Sequence, residues 1–260
     1  MSKRLGHLVT TIAFLVRHRQ LASLWSRIRH KLHSETLSFG LRRDLTIPFT
    51  APDANLPLTI RPLAERDIPV LLGTDAPSGT EEGAKDRTAR RLLVQEQIST
   101  CYVAVTPDDQ PCYMQWLIGS GENERIRTFF AGGFPQLAPD EALLEYAFTL
   151  EAYRGQRIMP CAMAQIAQKA ADFGAQRVIT FVIHNNIPSL KGCKRAGFVP
   201  HLLRHDRWRL FRRRLTFTRL PDGTPYPFDV EPQSHDSTAH PSPALAGEGT
   251  RRTEYASVPS

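Results

Sequence analysis

Glu151-Ala152-Tyr153-Arg154-Gly155-Gln156-Arg157-Ile158 lies between a short apolar stretch, Leu143 to Thr149, and the most regular amphipathic segment of the chain, Ile158 to Phe173. Gly155 permits a tight turn, and the backbone N–H groups that open a helix have no partner inside it. With the helix dipole aligned behind them, such groups form a site for phosphate or pyrophosphate. Leu143 to Thr149 reads as a strand, although its Glu, Ala and Leu content also suits a helix. Ile158, Cys161, Ala162, Ile166, Ala170 and Phe173 fall on one helical face that stops at Gly174.

Downstream, Val178 to Ile183 reads as a buried strand. It leads into Asn185-Asn186-Ile187-Pro188-Ser189, continuing through Cys193-Lys194-Arg195 to Gly197-Phe198. An Asn at a strand end with Ser three residues later caps a short helix, and Gly197 ends it. Arg154-Gly155-Gln156-Arg157-Ile158, followed by this Asn186, Ser189, Cys193, Gly197-Phe198 pattern, resembles the two central motifs of the GCN5-related N-acetyltransferase superfamily over residues 57 to about 218.

The resemblance implies an α+β (mixed α/β) fold, a central, mostly antiparallel twisted sheet flanked by helices. It implies an acyltransferase that moves an acyl group from acetyl-CoA or another acyl-CoA to an amine by direct attack, with no metal. Backbone amides across Arg154, Gly155, Gln156, Arg157, Ile158 and Met159 are then the pyrophosphate loop. Arg157 and Met159 stand at two positions where the family's usual loop is small. Asn186 and Ser189 fall near the pantetheine arm, and a backbone N–H near Thr149, Leu150 or Glu151 near the acyl carbonyl. Cys193 takes the position where the family commonly has a tyrosine that protonates the departing thiolate. A general base is needed because an ammonium is not nucleophilic. Glu145 on the strand before the loop and His184 at the end of the next strand are the candidates.

Elsewhere the pattern predicts a strand at Leu58 to Pro62, a helix from Ala64 to about Leu72 and a longer one over Lys85 to Ile98. A hairpin of Cys101 to Val105 and Tyr113 to Ile118 turns at Pro107 to Gln110, and an antiparallel pair runs from Phe198 to Thr218. Ile126 to Phe130 fits a strand inside a segment, 119–142, that has no clear pattern. Cys101, Cys112, Cys161 and Cys193 have no metal or redox spacing and read as reduced thiols. His201 and His205 would share a helix face as a metal pair, but their surroundings read as strand.

Net charge is +7, and it is unevenly placed. Residues 1–50 hold nine basic and two acidic residues, 204–219 seven and one, while 51–203 hold 15 and 17. The candidate catalytic core is therefore slightly acidic, and nucleic acid is not an expected partner. Residues 1–50 read as a basic amphipathic helical extension and connector, 51–220 as the acyltransferase domain and 221–260 as a disordered acidic tail. The apolar run Leu5 to Val16 is shorter than the ~20 residues a membrane span needs, and a cytoplasmic protein is expected. The segment 1–45 suits docking on its own domain, a homodimer contact, or peripheral contact with an anionic inner membrane surface. Arg204, Arg207, Arg209, Arg212, Arg213 and Arg214 fit either an anion-binding patch or a strand with arginine outward and Trp208 and Phe211 inward. The acceptor is a small-molecule, lipid-linked or sugar-linked amine. The alternative is a non-catalytic binding protein of the same fold, acting at an anionic membrane surface or on nucleic acid.

Overall fold

The computed structural model describes residues 21–73 and 81–229. Leu5 to Val16 and most of the acidic tail lie outside the described residues. α1 (Leu21–Leu32) runs directly into β1 (His33–Asp44). An irregular connector with three prolines follows, then β2 (Thr59–Pro62), a 3-10 turn, α2 (Ile68–Leu72) and α3 (Glu81–Gln95). The rest is β3 (Thr100–Val105), β4 (Pro111–Gly119), α4 (Asn123–Phe129), β5 (Glu141–Thr149), α5 (Ile158–Gln168), β6 (Arg177–Ile183), α6 (Ile187–Arg195), β7 (Val199–Arg209) and β8 (Arg212–Arg219). Among the described residues no helix is long and apolar enough to cross a membrane.

One eight-stranded sheet has the order β2-β3-β4-β5-β6-β1-β7-β8. Every neighbouring pair is antiparallel except β5 with β6. The period-two alternation of strands divides the core between two faces. On β4, Tyr113 and Leu117 pack with residues of α5 and α6, whereas Met114, Trp116 and Ile118 pack with Leu71 and Leu72 of α2, Leu93 of α3 and Ile126 of α4. The mixed, mostly antiparallel sheet between helical layers is the fold type that the resemblance implies.

Three expectations are corrected. The domain does not begin at residue 51, because β1 sits inside the sheet, pairing Ser38–Asp44 with β6 and His33–Arg42 with β7. A strand there was hidden because Ser38 and Gly40 face a crowded interior. A Cβ at Gly40 would lie 2.8 Å from the Phe181 ring and 2.9 Å from Leu202 Cβ, so only glycine fits. Ile126 to Phe130 belongs to helix α4 and its cap, and its aromatic residues pack with Phe134 and Tyr146 across the top of β5. The tail does not begin at 221. Tyr226 is buried with its hydroxyl donating to the Phe198 carbonyl at 2.7 Å, and Asp229 pairs with Lys194 of α6 at 2.7 Å.

Candidate active site

β5 and β6 pair only through Glu141–Leu143 and Arg177–Ile179; beyond these residues the strands diverge. Two adjoining cavities lie at the fork and share Ala147, Met159, Asn186 and Ser189 in their walls. The outer one is about 670 Å³ and opens over the Gly155 turn; the inner one is about 380 Å³ and reaches Glu145.

The outer cavity collects most of the residues expected to hold a cofactor. Thr149, Arg154, Gly155, Arg157, Ile158, Met159, Asn186 and Ser189 line it. Gly155 has φ 80°, and a Cβ there would meet nothing within 4 Å, so the space above it is open. Arg157 precedes α5 in the left-handed region, at φ 57°, which costs a residue with a Cβ about 1–2 kcal/mol. Gln156 does not line either cavity; its carbonyl accepts the Asn55 N–H at 2.9 Å, and this bond pins the turn to the connector. Met159 is accommodated by α6, since a Cβ at Gly192 would come within 2.9 Å of its sulfur. The large residue in the loop is thus matched by a missing side chain on the facing helix. Asn186 accepts the Ser189 N–H at 3.2 Å, which closes the first turn of α6 as the sequence suggests.

The inner cavity contains Glu145. Its carboxylate bridges the fork by accepting the Phe181 N–H at 2.9 Å. Burial pushes its pKa from 4.5 to about 7, against the opposing pull of Arg204 and the backbone hydrogen bonds. A carboxyl near 7 is suited to accept a proton at neutral pH. Tyr146 follows at φ 58°, where the β4–β5 register shifts between Met114 and Trp116. That bulge turns the backbone of Tyr146 to Phe148 at the level of the fork. Arg90 and Arg204 reach the same cavity from α3 and β7, and Phe130 and Phe134 wall it.

The other expected site residues fall differently. His184 is exposed and outside both cavities, with its ring nitrogen 3.3 Å from the Leu37 carbonyl. It is drawn there by β1, the strand missed in the sequence. Leu150 does not line the cavities, and its N–H already serves the Cys112 carbonyl at 3.0 Å, so it offers nothing to an acyl oxygen. Cys193 borders the inner cavity but is fully buried beside Met163, and burial raises its thiol far above the ordinary range. His205 pairs with Glu35 of β1 and not with His201. Among the described residues no cluster of three His, Cys, Asp or Glu is placed to hold a metal. The arginine run does not alternate as expected either, since Arg204 points inward while Phe211 is exposed.

Tyr153, Lys191 and Arg195 of the outer cavity, and Arg90, Phe130, Phe134 and Arg204 of the inner one, were not singled out as cleft residues. Lys191 and Arg195 carried a usable signal, being four apart on a helix that faces the cleft. Phe130 and Phe134 carried none, because their position depends on how the 119–142 segment folds back.

No family model matches this sequence, and no curated protein sequence matches it. Among solved structures, the chain is similar to an acetyltransferase of the GNAT family from Colwellia psychrerythraea, with 13% identity and a TM-score of 0.44, covering 72% of this chain and 57% of that one. It is similar to a Drosophila protein, with 16% identity and a TM-score of 0.44 over 74% and 56%, and to a GCN5-related N-acetyltransferase from Kribbella flavida, with 14% identity and a TM-score of 0.41 over 69% and 60%. The chain spans less than two thirds of the length of each. Its strand order and forked β5–β6 pair agree with the mixed, mostly antiparallel sheet flanked by helices that the sequence resemblance implies.

Proposed function

We propose that the protein is an acyl-CoA-dependent N-acyltransferase, with acetyl-CoA as the simplest acyl donor. The observation that carries this reading is the fork between β5 and β6, which opens onto an anion-binding turn at one end and a carboxyl of pKa about 7 at the other. The residues present fit the donor. The first turn of α5 offers the N–H groups of Ile158 and Met159, Pro160 having none, and Arg154, Arg157, Lys191 and Arg195 line the open space over Gly155 with positive charge. Asn186 and Ser189 flank the passage that leads inward.

An acyl-CoA supplies an activated thioester carbonyl. Glu145 takes the proton from the incoming ammonium, and beyond Leu143 the β5 backbone no longer pairs with β6, which leaves room at the fork for the acyl carbonyl. Holding the two reactants in one cleft provides most of the acceleration. Cys193 is assigned no proton transfer, because its thiol lies well above a leaving thiol of pKa ~8.5. Calorimetric titration with acetyl-CoA and longer acyl-CoAs tests the proposal. Micromolar to submillimolar binding is expected, weakened by added salt, and absence of binding at millimolar concentration would sink it.

A further inference from the structure

We propose that the inner cavity takes an acceptor amine that also bears an anionic group, a carboxylate or a phosphate, docked on Arg204. This rests on the acyltransferase reading above. The Arg204 guanidinium lies over the Phe181 ring at 4.9 Å and over Phe134 at 5.5 Å. It donates to the Gly133 carbonyl and to Ser38 Oγ, both at 3.2 Å. Among the described residues it forms no ion pair within 4.0 Å, although five N–H donors are available. Arg213 is different, since Asp206 engages it on two nitrogens. Arg90 adds a second buried guanidinium, with its carboxylate partner Asp86 as far away as 3.8 Å.

A cation withdrawn from water needs an opposite charge or a full set of acceptors. Arg204 has two acceptors and no carboxylate within 4.0 Å among the described residues, Glu145 and Asp206 acting on it only through space, and it borders a cavity large enough for a small molecule. Glu145 approaches the same cavity through the Phe181 N–H, and its proton affinity responds to the Arg204 charge. A molecule with an ammonium at Glu145 and an anion at Arg204 satisfies both groups, while Phe130, Phe134 and Tyr146 cover an apolar body. Neutralising Arg204 also strengthens Glu145 as a base, because the cation had favoured its ionised form.

The test is calorimetry on the full chain with two matched pairs: phenylalanine against phenethylamine, and O-phosphoethanolamine against ethanolamine. At least one anionic member is expected to bind tenfold or more tightly than its partner, and the pair that responds distinguishes carboxylate from phosphate. Arg204→Met should abolish the preference and Arg204→Lys should keep part of it. Equal binding within both pairs, no binding by any of the four, or a preference that survives Arg204→Met would overturn the proposal. These titrations need no acyl donor. Failure of acetyl-CoA to bind is read separately and counts against the acyltransferase reading.

A second inference rests on a different place. The structure assigns the β7–β8 hairpin tip and the end of α1 to contact with an anionic phospholipid surface. Leu210 and Phe211 form the two-residue turn, with φ 48° and 64°. This turn normally uses Asn and Gly, because a Cβ disfavours the left-handed region. Both side chains nevertheless point into solvent, at 75% and 56% exposure. Their N–H groups donate to the Leu32 and Lys31 carbonyls, so the tip and the C-terminus of α1 form one unit. Trp25 of α1 is 67% exposed, and Arg29, Lys31, Arg212 and Arg214, all exposed, flank these segments in the chain, while Arg209 pairs with Glu35. Protruding apolar side chains on segments rich in exposed cations suit lipid headgroups over acyl chains better than a nucleic acid, which offers no apolar layer.

Cosedimentation with phosphatidylglycerol-containing vesicles, against pure phosphatidylcholine, tests it. Binding to the anionic vesicles is expected, and Leu210→Asn with Phe211→Gly should reduce it at least tenfold while raising the thermal midpoint, since that pair suits the turn. Absence of binding by the wild type, or undiminished binding by the double variant, would overturn the assignment.

Discussion

Replacing Glu145 with Gln separates a catalytic carboxyl from a structural one. The carboxyl titrates at about 7 in the folded protein against an ordinary 4.5, chiefly because burial disfavours its charge. At roughly 1.4 kcal/mol per pH unit, ionising it in the fold costs about 3 kcal/mol more than in the unfolded chain. The folded state holds this proton more tightly, so the contribution to stability is complete below about pH 4.5 and is lost as the pH rises through about 7. Gln keeps an oxygen for the Phe181 N–H and never ionises. The variant should match the wild type near pH 4 and exceed it by about 2–3 kcal/mol near pH 9, read from urea unfolding at each pH. Its kcat/KM should fall ~10²–10⁴-fold. The wild-type profile should show an acid limb near pH 7 that the variant lacks. An acid limb near 4.5, full activity in Glu145→Gln, or a stability difference independent of pH would refute the reasoning.

Gly192→Ala places a Cβ within 2.9 Å of the Met159 sulfur and displaces that side chain into the cleft. Acetyl-CoA affinity should drop ~10-fold by calorimetry, with stability changed by under ~1 kcal/mol because alanine is the better helix former; adding Met159→Ala should restore binding. Arg157→Gly relieves a left-handed conformation and removes a cation, so the thermal midpoint should rise by ~2–4 °C. Acetyl-CoA binding should weaken several-fold at low salt and less at ~0.5 M salt. Arg43→Ala leaves the Ala164 and Ala196 carbonyls and Gln168 without their buried donor, at 2.9, 3.5 and 3.4 Å, and should cost ~3 kcal/mol in urea unfolding. Deleting residues 33–44 removes the strand between β6 and β7, and circular dichroism should then show no cooperative melting transition.

Local patterning decided much of the fold. The β3–β4 hairpin, α5 with the 3-10 turn Lys169–Phe173 that carries it to Gly174, and the Asn186 cap of α6 all appear where short-range physics puts them. Those features depend on alternation, turn chemistry and capping, which a few adjacent residues determine. β1 defeated the same reasoning. Its core-facing Ser38 and Gly40 look polar or flexible in sequence; the Phe181 ring and Leu202 on neighbouring strands explain Gly40, and the Arg204 donor explains Ser38. The α4 segment failed for a related cause, since Ile126 and Phe130 are apolar in either conformation and the ring that Phe130 stacks on, Tyr146, comes from β5.

The site divides along the same line. The sequence by itself determined that a glycine turn opens a helix at 155–158 and that Glu145 lies on the strand before it, because both are local facts. Tertiary structure set Glu145 and His184 apart, since the first lines the inner cavity while β1 holds the second at the Leu37 carbonyl. It also decided that Met159 is tolerated and that Arg204 faces inward. Each of these depends on a residue brought close from a distant part of the chain, Gly192 for Met159 and Ser38, Gly133 and Phe181 for Arg204. Burial and proximity between such residues set the pKa values and the open space, and neither quantity exists until the strands have paired and diverged.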